Sequence, residues 1–132
     1  MKEQLMAEAK NSMKNAYVPY SNFRVGAALL AESGTIYTGG NIENAAYPVS
    51  CCAERVAIFK AISNGEKTFS EMVVAADTKR PVPPCGSCRQ VMSEFFSKSM
   101  PVHLMNLQNE IKTVTMESLL PFSFEKADMD SK

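Results

Sequence analysis

Two short segments hold the residue types that can do chemistry: Cys52-Ala53-Glu54 and, further along, Pro84-Cys85-Gly86-Ser87-Cys88. Together they offer Cys52, Cys85 and Cys88 as thiolates for one metal ion, with Glu54 as a carboxylate beside it. Zinc takes Cys sulfur readily, and a catalytic zinc keeps three protein ligands and an open position for water. Glu54 follows Cys52 by two positions, a rotation of about 200° on a helix. Both side chains can therefore flank a site at a helix start without both bonding the ion, which suits Glu54 to moving protons next to the metal.

Other chemistry uses the same residues. A Cys-x-x-Cys pair also serves redox centres and structural zinc. The chain has four Cys, so a closed site that includes Cys51 is the rival reading. Cys51 and Cys52 are adjacent, about 100° apart on a helix, whereas structural ligands come in pairs spaced two to four residues apart. Cys51 is expected instead as a small buried side chain. The single histidine, His103, sits in the apolar run Pro101-Val102-His103-Leu104-Met105 and reads as a strand residue rather than a ligand.

The elements that must position these groups follow from hydrophobic periodicity. Residues 2–16 read as a helix with Leu5, Met6, Ala9, Met13 and Ala16 on one face, ended at Pro19. Phe23 to Leu30 reads as a buried strand, Ser33-Gly34 as a turn, and Ile36 to Asn41 as the returning strand of a hairpin. Ser50 can cap a helix over 51–63 whose apolar positions are Val56, Ile58, Phe59 and Ile62, stopped at Asn64-Gly65. Met72 to Ala76 is a continuous apolar strand of the kind covered on both faces. A proline-rich loop over 77–84 leads to a second helix over 86–96. Strands at 102–106 and 111–114 are joined too tightly for a parallel crossover, so they pair antiparallel. A short helix at 116–120 precedes the tail.

The sum is a three-layer α/β/α domain with a mixed five-stranded sheet, expected as one domain over 1–132. Both cysteine segments fall at helix N-termini, where the helix dipole stabilises thiolate. Three thiolates around a divalent zinc leave a negative site that opposes water ionisation. Arg55 and Arg89, three and four residues after Cys52 and Cys85, are placed to reach back over their thiolates and offset that charge.

Composition narrows the function. Lys plus Arg equals Asp plus Glu at 14 each, with no basic block, so nothing marks a nucleic-acid backbone partner. A small-molecule substrate fits better. Met1-Lys2-Glu3-Gln4-Leu5 lacks the apolar core of a signal peptide, and no apolar run approaches a membrane span. Cysteines used as thiolates imply a reducing compartment, so a cytoplasmic location is expected.

Four blocks in order carry a resemblance over about Leu5 to Phe124. They are Pro19 to Ala28 (PYSNFRVGAA), Asn41 to Tyr47 (NIENAAY), Cys52 to Arg55 (CAER), and Pro84 to Gln90 (PCGSCRQ). With them the chain resembles the small homotetrameric zinc-dependent cytidine deaminases, and its motif is similar to the zinc deaminase signature with Cys where some members place His. The resemblance implies hydrolysis of cytidine and 2′-deoxycytidine to uridine and 2′-deoxyuridine with release of ammonia, a step of pyrimidine salvage. It implies one zinc per subunit on Cys52, Cys85 and Cys88, with Glu54 carrying protons to N3 and to the departing amine. It also implies nucleoside contacts from Phe23, Asn41, Glu43, Ala53 and Phe124, with Asn41 and Glu43 on the ribose 3′-hydroxyl and Arg55 tuning the metal. Phe124 would reach a neighbouring subunit's site, so that a homotetramer completes its sites across interfaces. Read from residues alone, Phe122 and Phe124 would pack on their own subunit, Asn41 would be a turn former and Phe23 core. Two rivals remain: a deaminase of the same fold acting on another aminopyrimidine nucleoside, and a zinc-stabilised binding module without turnover. The balanced charge and the non-ligand Glu54 argue against the second.

Overall fold

The computed structural model describes residues 1–130. Helix α1 (Lys2–Ser12) runs into a 3-10 turn at Met13–Asn15 and buries Leu5, Ala9 and Met13, which the helical repeat aligns. Strands β1 (Val25–Ala31) and β2 (Ile36–Gly40) form the expected antiparallel hairpin, with Ala28 opposite Thr38. Helix α2 (Ala53–Ser63) stops where Gly65 takes φ +94°, a left-handed value that glycine adopts without steric penalty. Strand β3 (Phe69–Ala76), helix α3 (Gly86–Phe95), strands β4 (Pro101–Met105) and β5 (Ile111–Thr115), and helices α4 (Met116–Leu119) and α5 (Lys126–Asp130) follow.

The strands make one five-stranded sheet in the order β2-β1-β3-β4-β5. β3 and β4 are parallel, joined by the crossover through α3, and β4 and β5 are antiparallel as their short connection requires. Helix α1 covers one face over Ala28, Val73 and Ala75. Helices α2, α3 and α4 cover the other over Leu29, Met72, Val74, Val102 and Leu104. Burying a large apolar side chain such as Leu29 or Met72 contributes roughly 1.5–3 kcal/mol. This is the three-layer α/β/α arrangement read from the sequence.

One edge of this sandwich sets up the site. The start of β1, the end of β2 and the carboxyl ends of β3 and β4 all meet the first turns of α2 and α3. Open α/β sheets bind ligands at such ends. Gly39 lets α2 lie directly on β2: a Cβ there would meet Ala53 O at 2.6 Å and Ala57 N at 2.7 Å. Any side chain at 39 would lift the start of α2, and with it Cys52 and Glu54, off the sheet.

The same close approach explains where α2 differs from its sequence reading. Its inner face is Ala53, Ala57, Ile58 and Ala61, small enough for contact, while Phe59 is 46% exposed. Ser50 does not cap the helix. Cys52 holds the N-cap position, and Ser50 Oγ instead accepts the Asn44 N–H at 3.0 Å. Cys51 is half-buried rather than buried, and pairs its backbone with Ile42 through two 2.8 Å hydrogen bonds. The α5 helix in the tail carried no periodic signal long enough to read. Among the described residues, no helix is long and apolar enough to cross a membrane.

Candidate active site

Cys52 and Cys85 occupy the N-cap positions of α2 and α3, and Cys88 lies one turn into α3, fully buried. The crossover from β3 to β4 brings α3 beside α2 at the same end of the sheet. The sulfurs of Cys52, Cys85 and Cys88 lie within 4.8 Å of one another, and those of Cys52 and Cys85 are 3.8 Å apart. A tetrahedral zinc with Zn–S bonds of ~2.3 Å has S–S edges of about 3.8 Å. The cluster therefore fits one zinc, with the fourth direction left to a small ligand. Cys51, Glu54 and His103 are not part of it.

The thiols share protons unevenly. Cys52 is pulled down to about 5, first by the hydrogen bond with Cys88 and then by Arg55 and Cys85, against the opposing effect of burial. Cys88 is pushed well up by that same hydrogen bond, by burial and by the Glu54 charge. Cys51, outside the cluster, is also raised, mainly by burial. A divalent ion in the cluster takes the place of the shared protons.

The two arginines diverge. Arg55 reaches back as expected: its guanidinium donates to Cys52 Sγ and to Ser50 O, each at 3.5 Å. The Cys52 sulfur in turn raises its pKa, holding Arg55 in its charged form. Arg55 Nε is buried with no hydrogen-bond partner among the described residues. Arg89 turns away from its thiolate. It donates from Nε to Pro84 O and from Nη1 to Leu119 O, both at 2.9 Å. The Leu119 carbonyl ends α4 and has no helical partner, so it draws the guanidinium. On α3, the Cys85 sulfur is met by the backbone N–H of Cys88 at 3.5 Å instead.

Glu54 is 4% exposed in the first turn of α2. Burial pushes its carboxyl up to about 7, opposed by its own backbone N–H and by Arg55, with the Cys52 charge adding to the rise. A carboxyl near 7 can both take and give a proton at neutral pH.

A pocket of about 230 Å³ opens in front of these groups. Cys52, Ala53, Glu54 and Cys85 line it together with Phe23 and Asn41. Val82, Pro83, Pro84 and Met105 line it as well. It lies just below the ~300–1,000 Å³ range usual for ligand pockets, so it suits one small molecule. Of the residues singled out in the sequence, Phe23, Asn41, Ala53 and Glu54 thus share one cavity with Cys52 and Cys85. Phe23 lines that cavity at 42% exposure rather than sitting in the core. Glu43 lies in a neighbouring hollow with Tyr20, Ser21, Tyr47 and Ser50. Its carboxylate pKa is lowered, chiefly by the Ser21 hydroxyl. Phe124 is not in the pocket. It is 60% exposed on the tail, where Gln90 Nε2 donates to its carbonyl at 2.9 Å. The proline lining was missed in the sequence, where residues 77–84 read only as a connection. Met105 was missed because a strand residue carries no mark of which cavity its end faces.

Residues 1–104 match the family described as the cytidine and deoxycytidylate deaminase zinc-binding region. That span includes Glu54 and the three clustered cysteines and stops short of the tail. The chain is 57% identical over 127 residues to a cytidine deaminase of Sporosarcina psychrophila, covering 96% of this chain and 93% of that protein. It is 50% identical over 129 residues to a cytidine deaminase of Halalkalibacterium halodurans, covering 98% of each. Among solved structures, the cytidine deaminase of Burkholderia pseudomallei superposes with a TM-score of 0.91 at 40% identity, over 94% of this chain and 99% of that one. The matched region, the zinc-sized thiol cluster and the buried carboxyl beside it agree: this chain belongs to the cytidine and deoxycytidylate deaminase family of zinc-binding hydrolases.

Proposed function

We propose that the protein hydrolyses cytidine and 2′-deoxycytidine to the corresponding uridines, releasing ammonia, with one zinc held by Cys52, Cys85 and Cys88. The observation that carries this reading is one small pocket where two sulfurs of the thiol cluster, Cys52 and Cys85, meet a buried carboxyl and the Phe23 ring. Zinc bound at the cysteines supplies Lewis-acid activation of water near neutral pH. Glu54 moves protons between its carboxylate oxygens and two substrate positions, N3 of the ring and the amine leaving from C4. Phe23 packs against the nucleoside, and Asn41 and Glu43 hold the ribose. The Ala53 backbone lines the pocket beside the base. Burial keeps bulk water away from Glu54, so its proton goes to substrate rather than to solvent. Loss of the cytidine absorbance band on mixing with zinc-loaded protein tests the reading. An unchanged spectrum overturns it, and a panel of aminopyrimidine nucleosides then decides between the same-fold rival and a module without turnover. Pyrimidine salvage is the place this reaction would take.

Arg55 tunes the metal rather than the substrate, because the sulfurs it meets, those of Cys52 and Cys88, both belong to the thiol cluster. Arg55→Ala is expected to lower the turnover rate about 10–100-fold, with part of the zinc lost and KM nearly unchanged. A variant altered only in KM would put Arg55 against the nucleoside instead.

A homotetramer with sites completed by neighbours is supported by what this chain leaves uncovered. Phe122 is 98% exposed and Phe124 60% exposed, so the tail aromatics are not packed on their own subunit. Ile42, Tyr47, Val49 and Phe59 are also exposed. Phe124→Ala should raise KM for cytidine about tenfold while zinc content holds, the loss expected from one buried aromatic contact. Mixing Glu54→Gln chains with chains truncated before Phe122 should restore some activity. A fully active monomer in sedimentation would overturn the arrangement.

A further inference from the structure

We infer that Ser21 is a positioning residue, tying the Glu43 carboxylate to the backbone of Phe23 so that the ribose side and the ring side of the pocket are set by one clamp. This rests on the nucleoside reading above. The Ser21 hydroxyl donates to Glu43 Oε2 and accepts the Phe23 N–H at 3.0 Å. Glu43 Oε1 accepts the N–H groups of Tyr20 and Ser21 at 3.0 and 3.1 Å. On the carbonyl side of Phe23, Asn41 Nδ2 donates to Phe23 O and Asn41 Oδ1 accepts the Val25 N–H, both at 2.9 Å. The backbone of Phe23 is therefore gripped at its N–H and at its C=O by side chains answering to the 41–43 segment.

The clamp is needed because this loop is not regular structure. Asn22 has φ +56°, a left-handed value that asparagine tolerates better than most non-glycine residues. Its own N–H is anchored on Val18 O at 3.0 Å. The short Ser21-to-Phe23 bond is the local side-chain-to-backbone type that replaces strand or helix pairing.

Counting valences shows what the clamp does for a ligand. A carboxylate offers about four acceptor positions, and Tyr20 N–H, Ser21 N–H and the Ser21 hydroxyl occupy three on Glu43. The Asn41 amide has two donors and two acceptor positions, and the bonds to Phe23 and Val25 take one of each. Each group keeps a position open for a ligand hydroxyl. Without Ser21, Glu43 loses a donor and Phe23 loses its N–H acceptor together.

The test compares Ser21→Ala with Ser21→Thr, which keeps the hydroxyl. Ser21 is exposed, so neither change should unfold the protein. Ser21→Ala should raise KM for cytidine about tenfold with kcat within about twofold and zinc content unchanged, since one hydrogen bond of this kind is worth up to about a factor of ten. Ser21→Thr should restore most of the affinity. The preference of the wild type for 2′-deoxycytidine over 2′,3′-dideoxycytidine should shrink in Ser21→Ala, because Glu43 is no longer held toward the 3′-hydroxyl. Independently of turnover, amide exchange at Phe23 should quicken about tenfold in Ser21→Ala and not in Ser21→Thr. Unchanged KM with unchanged exchange, or an equal fall in kcat and zinc content, overturns the clamp. If wild-type protein leaves cytidine intact, the nucleoside reading falls and the exchange result alone decides: faster exchange supports the tie, unchanged exchange refutes it.

Discussion

Glu54→Gln is expected to keep the fold and the zinc and to lose nearly all turnover of cytidine. The residue is 4% exposed at the start of α2, in a site shaped for its side chain. Glutamine has the same length and volume, so packing around the pocket survives. It is not among the clustered ligands, so the metal stays. What is lost is the ability to accept a proton and hand it on. A positioned acid–base group contributes about 10²–10⁴ in rate. Here one carboxyl would serve both N3 and the leaving amine, so the expected loss is at the top of that range. Steady-state rates with metal analysis of the same preparation measure it. A variant keeping a tenth of wild-type turnover would show that another group moves the protons.

Cys88→Ala has the other large effect. Cys88 is fully buried between the remaining two sulfurs and the core beneath α3. Removing it leaves two protein ligands, one fewer than a catalytic zinc requires. Zinc should fall to below about a tenth per chain and turnover by at least about 10³, since metal activation of water is lost along with charge stabilisation. The paired control is Cys51→Ala. The Cys51 sulfur is outside the cluster, so zinc content and rate should match the wild type. Loss of zinc from Cys51→Ala would revive the closed four-cysteine site. Thermal melts of the metal-stripped wild type and metal-stripped Cys88→Ala separate a lost ligand from a collapsed core, because only a packing defect would lower the melting temperature of the variant below that of the stripped wild type.

Much of this molecule is legible residue by residue. The spacing of Cys52, Glu54, Cys85 and Cys88 pointed to a zinc site with a carboxyl beside it before any fold was known, because ligand type and interval are set by coordination chemistry. Periodicity placed the five strands and the three long helices, since apolar residues recur at the pitch of the element that must bury them. The tight link between β4 and β5 fixed their antiparallel sense, because no parallel crossover fits so short a segment.

Tertiary contacts decided the rest. Arg55 and Arg89 stand in similar places after a cysteine, yet only Arg55 meets a sulfur, because the free carbonyl at the end of α4 captures Arg89 from another part of the chain. The apolar pattern of α2 named Phe59 as core, but the contact of Gly39 with Ala53 and Ala57 turned the small face inward and left Phe59 outside. The resemblance set Glu43 toward the ribose, and only the folded Ser21 turn showed that its carboxylate already accepts three hydrogen bonds. Each of these depends on which distant backbone group lacks a partner or leaves no room for a side chain. Local sequence carries propensity and periodicity. It does not carry the positions of unpaired carbonyls or the clearance between two elements, which exist only once the layers are packed.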